Sequence, residues 1–250
     1  MAYTPESAFT FDANTKTITD FAGGYDTISI PPTIGGVTVL HIGNNAFYQK
    51  NLFDVTFPNT ITTIGISAFE GNNIGTFSNF VLTIPEGITY IDNYAFRDNA
   101  IGTLILPNSL TETKIESFAC YWTESHYNGT IYYPLTSVTL GNAITKIGKR
   151  SFFPGLYTSI NLPSTLTYLD DCAFQWSALT SIHLPWSLTH IGAQAFEGCS
   201  LDTVNIPPYV NYIGSYAFAG NTNFGVQPIV YKMNRFCISG DNFLIFDSLI

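Results

Sequence analysis

Phenylalanine recurs at Phe47, Phe69, Phe96, Phe118, Phe152, Phe174, Phe196 and Phe218, so the steps along the chain are 22, 27, 22, 34, 22, 22 and 22 residues. Each one closes a version of the same phrase: aliphatic, any residue, Pro, a turn, aliphatic, Thr, any residue, Ile, Gly, two residues, Ala, Phe. Five equal steps, with the other two explained by insertions of 5 and 12 residues, mean that one structural unit has been laid down repeatedly. A unit this short cannot bury its own apolar face, so its neighbours must cover it. The chain is therefore read as a repeat solenoid, with one continuous core and one domain across its 250 residues.

The columns of the repeat specify the coil. Fourteen residues before the Phe stand Val55, Leu82, Leu104, Val138, Ile160, Ile182 and Val204, followed two residues later by Phe57, Ile84, Leu106, Leu140, Leu162, Leu184 and Ile206. This alternation predicts a short strand with one buried face. Pro58, Pro85, Pro107, Pro163, Pro185 and Pro207 come next, with Gly141 as the exception, and stop the strand because proline has no N–H for a further ladder bond. Glycine or aspartate follows the later Ile column in seven of eight units, the eighth carrying Lys114, and is read as a left-handed turn. Ala46, Ala68, Ala95, Ala173, Ala195 and Ala217 precede the Phe, with Ser117 and Ser151 in the other two units, and admit close approach of adjacent coils. The phenylalanines should then stack as an internal aromatic spine at about the 4.8 Å strand spacing.

Both ends read as caps. Phe9 to Phe21 alternates around Asp12-Ala13-Asn14-Thr15 as a hairpin, and Ile229 to Ile250 reads as a second one around Ser239-Gly240-Asp241-Asn242. The organisation is an N-terminal cap over 1–25, an array over 26–220 with insertions near 33–40, 75–80 and 121–133, and a C-terminal cap over 221–250.

Units such as Leu179-Thr-Ser-Ile182-His-Leu184-Pro185-Trp-Ser-Leu188-Thr-His-Ile191-Gly192-Ala-Gln-Ala195-Phe196 resemble the BspA-type leucine-rich repeat, and the resemblance spans roughly residues 26 to 220. It implies a leucine-rich-repeat right-handed superhelix of short parallel β-strands, turns and short helical segments, closed by hairpin-like caps. It also implies a surface or secreted adhesion protein whose partner is a host, matrix or cell-surface protein, with no catalytic residue to carry over.

Composition narrows the partners. Only 11% of residues are charged, where about 25% is usual, and nine basic against eighteen acidic residues give a formal charge of -9. That sign repels phosphate backbones and anionic lipid, so neither nucleic acid nor membrane insertion is expected. Met1 to Phe11 lacks the basic and apolar regions of an export signal, and no apolar run approaches the roughly 18 residues of a membrane span. Cys120, Cys172, Cys199 and Cys237 make no CxxC and fall at different phases of the repeat, as isolated thiols would.

Since packing fixes the core columns, recognition must use outward columns and insertions. The longest insertion carries Tyr121, Trp122, His126, Tyr127, Tyr132 and Tyr133. Tyr and Trp offer large contact area at small entropic cost, although a hairpin around Asn128-Gly129 would instead bury them on a neighbouring coil. One outward row, Thr56, Thr83, Ile105, Thr139, Asn161, His183 and Asn205, is assigned to a concave sheet. A second, Thr63, Tyr90, Glu112, Lys146, Tyr168, His190 and Tyr212, ends in an aromatic ladder with Trp186 and Tyr209 nearby in sequence. Such a ladder suits a protein, and a glycan is the alternative ligand; it also serves as plain support for a sheet. A spacer without a specific ligand, a rod of about 40 Å, is the third reading.

Enzyme chemistry has no anchor here. His183 and His190 should point from different faces, and His41 and His126 lie elsewhere, so no third ligand completes a metal site. Asp170-Asp171 and Asp241 occupy turn columns, and phosphate loops and nucleophile elbows are absent from the sequence. No metal and no cofactor is expected.

Overall fold

The computed structural model describes residues 3–76, 78–114, 116–119 and 135–221. It is a stack of coils, here numbered one to eight by their phenylalanines from Phe47 to Phe218. The second expected hairpin, with Cys237, and the insertion with Cys120 lie outside the described residues.

The eight phenylalanines are buried and form one column. Neighbouring rings stack nearly parallel at 4.7 Å for Phe47 and Phe69, widen to 6.1 Å for Phe118 and Phe152, and close to 5.3 Å for Phe196 and Phe218. Phe21 and Phe9 extend the column at the N-terminal end, with ring centroids 5.2 Å and 5.5 Å apart along Phe47, Phe21 and Phe9. Those two residues belong to the antiparallel strands Phe9–Asp12 and Thr17–Phe21. The Asp12 carboxylate makes their turn by accepting the Asn14 N–H and the Thr15 hydroxyl, at 2.9 Å and 2.8 Å.

Backbone bonds run between coils. The Phe47, Phe69, Phe96 and Phe174 amides donate to the carbonyls of Ala68, Ala95, Ser117 and Ala195 one coil on, at 2.8 to 2.9 Å. Two residues to either side the pattern continues, with Asn45 donating to Ile66 and Gln49 to Glu70. Amides committed to the next coil cannot close helical bonds to residue i−4, so the short helical segments expected here are turns. Among the described residues the one helical element is the 3₁₀ turn Glu6–Ala8.

The left-handed positions differ from expectation. The glycine after the Ile column is not left-handed; that conformation belongs two residues later, to Asn45, Ser67, Tyr94, Glu116, Arg150, Cys172, Gln194 and Tyr216, with φ from 51° to 62°. The glycine is required by proximity instead: a Cβ on Gly214 would lie 2.3 Å from the Ala193 nitrogen. Units with aspartate there use its carboxylate to accept the next N–H, Asp92 from Asn93 at 2.8 Å and Asp170 from Asp171 at 2.9 Å.

Two strand rows face different sides. The Ile-column row pairs in parallel through His41–Ile42, Thr63–Ile64 and Tyr90–Ile91, then resumes through Lys146–Ile147, Tyr168–Leu169, His190–Ile191 and Tyr212–Ile213. The proline row pairs Thr27–Ser29 with Asp54–Thr56, and Val81–Thr83 with Thr103–Ile105 and Ser137–Thr139. The strands expected at Ile160, Ile182 and Val204 are not formed; coils six to eight ladder with their neighbours along the Ile column alone.

A polar column lies three residues past the Phe, inside the coils. Asn72 donates to the Phe47 and Phe69 carbonyls at 2.7 Å and 2.8 Å, and accepts the Lys50 and Leu52 amides at 3.0 Å and 3.1 Å. Asn99 and Asn221 repeat the arrangement. Ser177 and Cys199 continue it, 3.2 Å apart, with the Cys199 thiol directed to the Phe174 carbonyl and pushed up to about 11 by burial. Coil five has Gly155 here, and the Tyr157 ring fills the space: its hydroxyl donates to the Phe152 carbonyl at 3.1 Å, while a Cβ on Gly155 would meet that ring at 1.9 Å.

Phe96→Ala should lose about 3–5 kcal/mol in chemical denaturation, by removing a fully packed ring. Asn72→Ala should lose about 2–3 kcal/mol, because buried carbonyls and amides on two coils are left without partners; a loss under about 0.5 kcal/mol in urea unfolding would contradict this account.

Candidate binding surface

The second outward row forms the ladder expected of it. The Tyr168 and His190 rings lie 4.0 Å apart and His190 and Tyr212 4.2 Å apart, both at 6° between planes. Parallel pairing places these side chains in register on successive strands, with Tyr168 opposite His190 and His190 opposite Tyr212. Lys146 extends the row: its ammonium sits 4.8 Å from the Tyr168 ring centre and 3.1 Å from the Asp170 carboxylate. Stacking uses both faces of His190 and one face of each tyrosine. The ladder thus presents a comb of ring edges, hydroxyls and imidazole nitrogens, with little open ring face. Burial between the tyrosines holds His190 below the usual imidazole value near 6.5, outweighing the pull of Asp170 and Asp171, and Lys146 pushes the same way.

Trp186 and Tyr209 stand apart from the ladder. They occupy the turn beside the proline, 68% and 65% exposed, and make no ring contact among the described residues. His183 is exposed on the proline row and His190 lies within the ladder, so the two point from different faces. Tyr121, Trp122, His126, Tyr127, Tyr132 and Tyr133 lie outside the described residues. Thr56, Thr83, Ile105, Thr139, Asn161, His183 and Asn205 are all exposed, as their alternation requires.

Sequence reasoning missed Trp176. It stands two residues past Phe174, a left-handed position held in other coils by Gly71, Gly198 and Gly220 and by Gln49 and Asp98. Trp176 takes the same conformation, φ 56°, and is 61% exposed. Its ring packs 5.9 Å from Phe153 and lies over Gly198, where any Cβ would fall 2.4 Å from the indole. A left-handed conformation costs a bulky residue about 1–2 kcal/mol, and burial does not repay it here. Leu156, 54% exposed, and the half-buried Phe153 belong to the same coil-five turn region. The column holds Gln49, Gly71, Asp98, Cys120, Pro154, Trp176, Gly198 and Gly220, so no residue consensus marks the tryptophan in the sequence.

A histidine held below its ordinary value binds its proton in the unfolded chain first, so stability must fall as pH drops through about 6.5. The thermal midpoint should decline between about pH 7 and pH 5, and His190→Gln should remove part of that decline; identical slopes in wild type and variant would contradict it.

Comparison with solved structures matches this architecture to bacterial leucine-rich repeat proteins. A leucine rich repeat protein of T. pallidum superposes at a TM-score of 0.52 and 20% identity, over 90% of this chain and 92% of that one. A leucine-rich repeat protein of Bacteroides ovatus gives 0.52 and 20%, over 90% of this chain and 55% of that one. The pneumococcal vaccine antigen PcpA gives 0.58 and 16%, over 87% of this chain and 66% of that one. At these identities the likeness is one of fold. No curated protein sequence matched. Residues 40–128 and 131–225 match the model of the BspA type leucine rich repeat region, in six copies, and the chain belongs to that family.

Proposed function

We propose that this chain is a non-enzymatic protein-binding module, displayed on a cell surface or secreted, that grips its partner with exposed aromatic side chains of coils six to eight. The observation that carries the reading is Trp176, a large apolar side chain kept in a left-handed position and facing solvent. A spacer has no use for that expense, whereas tryptophan and tyrosine are the residues that dominate protein interfaces. Trp186, Tyr209 and the 44% exposed Tyr216 are further exposed aromatics at other turns of the following coils. Membership of a family of surface proteins supports the location. Among the described residues no helix is long and apolar enough to cross a membrane.

The aromatic ladder itself favours a protein over a sugar. Sugar rings stack on open aromatic faces, and those of Tyr168, His190 and Tyr212 are largely covered by one another. Edges bearing hydroxyl and imidazole groups are better matched to polar groups of a polypeptide.

Trp176→Gly with Trp186→Ala should keep the thermal midpoint within a few degrees of wild type and weaken binding to immobilised extracellular-matrix proteins about tenfold or more. A glycan array should stay blank with wild type. Unchanged matrix binding by the double variant would remove the aromatic surface from the reading.

A further inference from the structure

The proline-row sheet is split between coils two and three, and we propose that this split is a receptor groove for an extended segment of a partner polypeptide. The proposal extends the protein-binding reading to a second site and does not depend on the aromatic surface.

The split is local. Coils two and three remain joined along the Ile column, where Thr63 and Ile64 pair with Tyr90 and Ile91, and at the phenylalanine turn, where Phe69 donates to Ala95 at 2.8 Å. On the proline row, Asp54–Thr56 pairs only with Thr27–Ser29, and Val81–Thr83 only with Thr103–Ile105. The five-residue insertion enters the chain at this junction. Gly75 still donates to Phe53, then the chain loops out and re-enters at Phe80, and Val81 takes the Ser78 carbonyl.

Ladder parity identifies what the split exposes. In a parallel sheet, successive residues of a strand direct their N–H and C=O to opposite neighbours. Ile30 donates to Thr56 and Ser29 instead meets Thr4, so Thr56 faces coil one and Val55 and Phe57 face coil three. Ile84 donates to Ile105 at 2.9 Å, so Thr83 faces coil two. A closed sheet would have Thr83 N–H donating to Val55 C=O, and Phe57 N–H to Thr83 C=O. Neither bond is formed. The Val55 N–H has turned to the Asp54 carboxylate, at 2.8 Å. Two donors and two acceptors therefore face each other in a groove of about 310 Å³ lined by Asp54, Thr56, Phe57, Ser78, Thr83 and Pro85 among others.

That set of groups defines the ligand. Two strand edges offering alternating N–H and C=O are matched by extended backbone, which pairs with both at once. Asp54 is the one charged side chain on the groove, and the chain carries a formal charge of -9, so the segment bears a basic side chain. The junctions between coils five and six, six and seven, and seven and eight also lack pairing on this row. At those junctions, however, the strands past Thr139 are not formed, and no two laddered strands present complementary edges.

Hydrogen exchange on the free protein tests the groove without a ligand: the Thr83 amide should exchange far faster than the adjacent Ile84 amide, and equal protection would overturn the proposal. Selection from a phage-displayed library of short random peptides should enrich basic, strand-forming sequences that slow Thr83 exchange. Their binding should weaken about tenfold or more on Thr83→Pro, on deletion of residues 76–80, which restores the 22-residue step, and on N-methylation of alternate peptide nitrogens. The N-methylated peptides keep the test valid where a protein variant misfolds. Peptides that bind Thr83→Pro as well as wild type, an empty selection, or occupancy of the groove by a second copy of the chain in sedimentation would each overturn it. Binding lost only in the Trp176→Gly, Trp186→Ala variant would overturn the groove while leaving the aromatic surface standing.

Discussion

Each coil is incomplete without the next, and the bond that enforces this runs from a phenylalanine amide to the alanine carbonyl one coil on. It fixes the vertical spacing at the turn, seats the ring in the aromatic column, and consumes the amides from which a helix would be built. The alanine must be small and the glycine before it smaller still, because the neighbouring backbone arrives within contact distance. Once these distances are set, what varies along the array is which of the two outer rows ladders. The array is tight on both rows between coils one and two, and on the Ile column alone beyond coil five.

Much of this was legible in the residues. The spacing of the phenylalanines gave the coil, the proline column gave the strand ends, and the row from Tyr168 to Tyr212 gave the stacked ladder. Three features were not legible, for a shared reason: they are relations between coils. Glycine in a column signals either a left-handed residue or a close approach, and composition cannot separate the two. Here the approach won, and the left-handed angle went to Asn45, Ser67 and their equivalents, which share no side-chain chemistry. The asparagine column was hidden because only Asn72, Asn99 and Asn221 keep the residue, while Cys199 and Tyr157 meet the equivalent carbonyls by other means. Trp176 was hidden because its column holds Gln49, Asp98, Cys120 and Pro154 as well as three glycines, and its exposure follows from how the ring lies over Gly198 on the next coil.

The polar chemistry of the array is mostly internal. Thr89, Thr145, Thr167 and Thr189 each donate both N–H and hydroxyl to a carbonyl of the preceding coil, so the threonines that replace charge in the composition also stitch the flank. Arg97 bridges Glu70 and Glu116 across three coils, and its guanidinium lies 4.6 Å from the Tyr94 ring centre. With so much polarity spent on the neighbours, the exposed aromatics and the split sheet stand out as places where the molecule has left something unspent.

Gly155 and Tyr157 carry a lesson for anyone shuffling these coils as building blocks. The ring of one occupies the volume that the missing side chain of the other leaves, so the pair is a single exchangeable cassette. A graft that separates them would either drive a methyl group into an aromatic ring or leave a hole with an orphaned carbonyl at its floor. Modularity in this array ends wherever two positions have settled a debt between them.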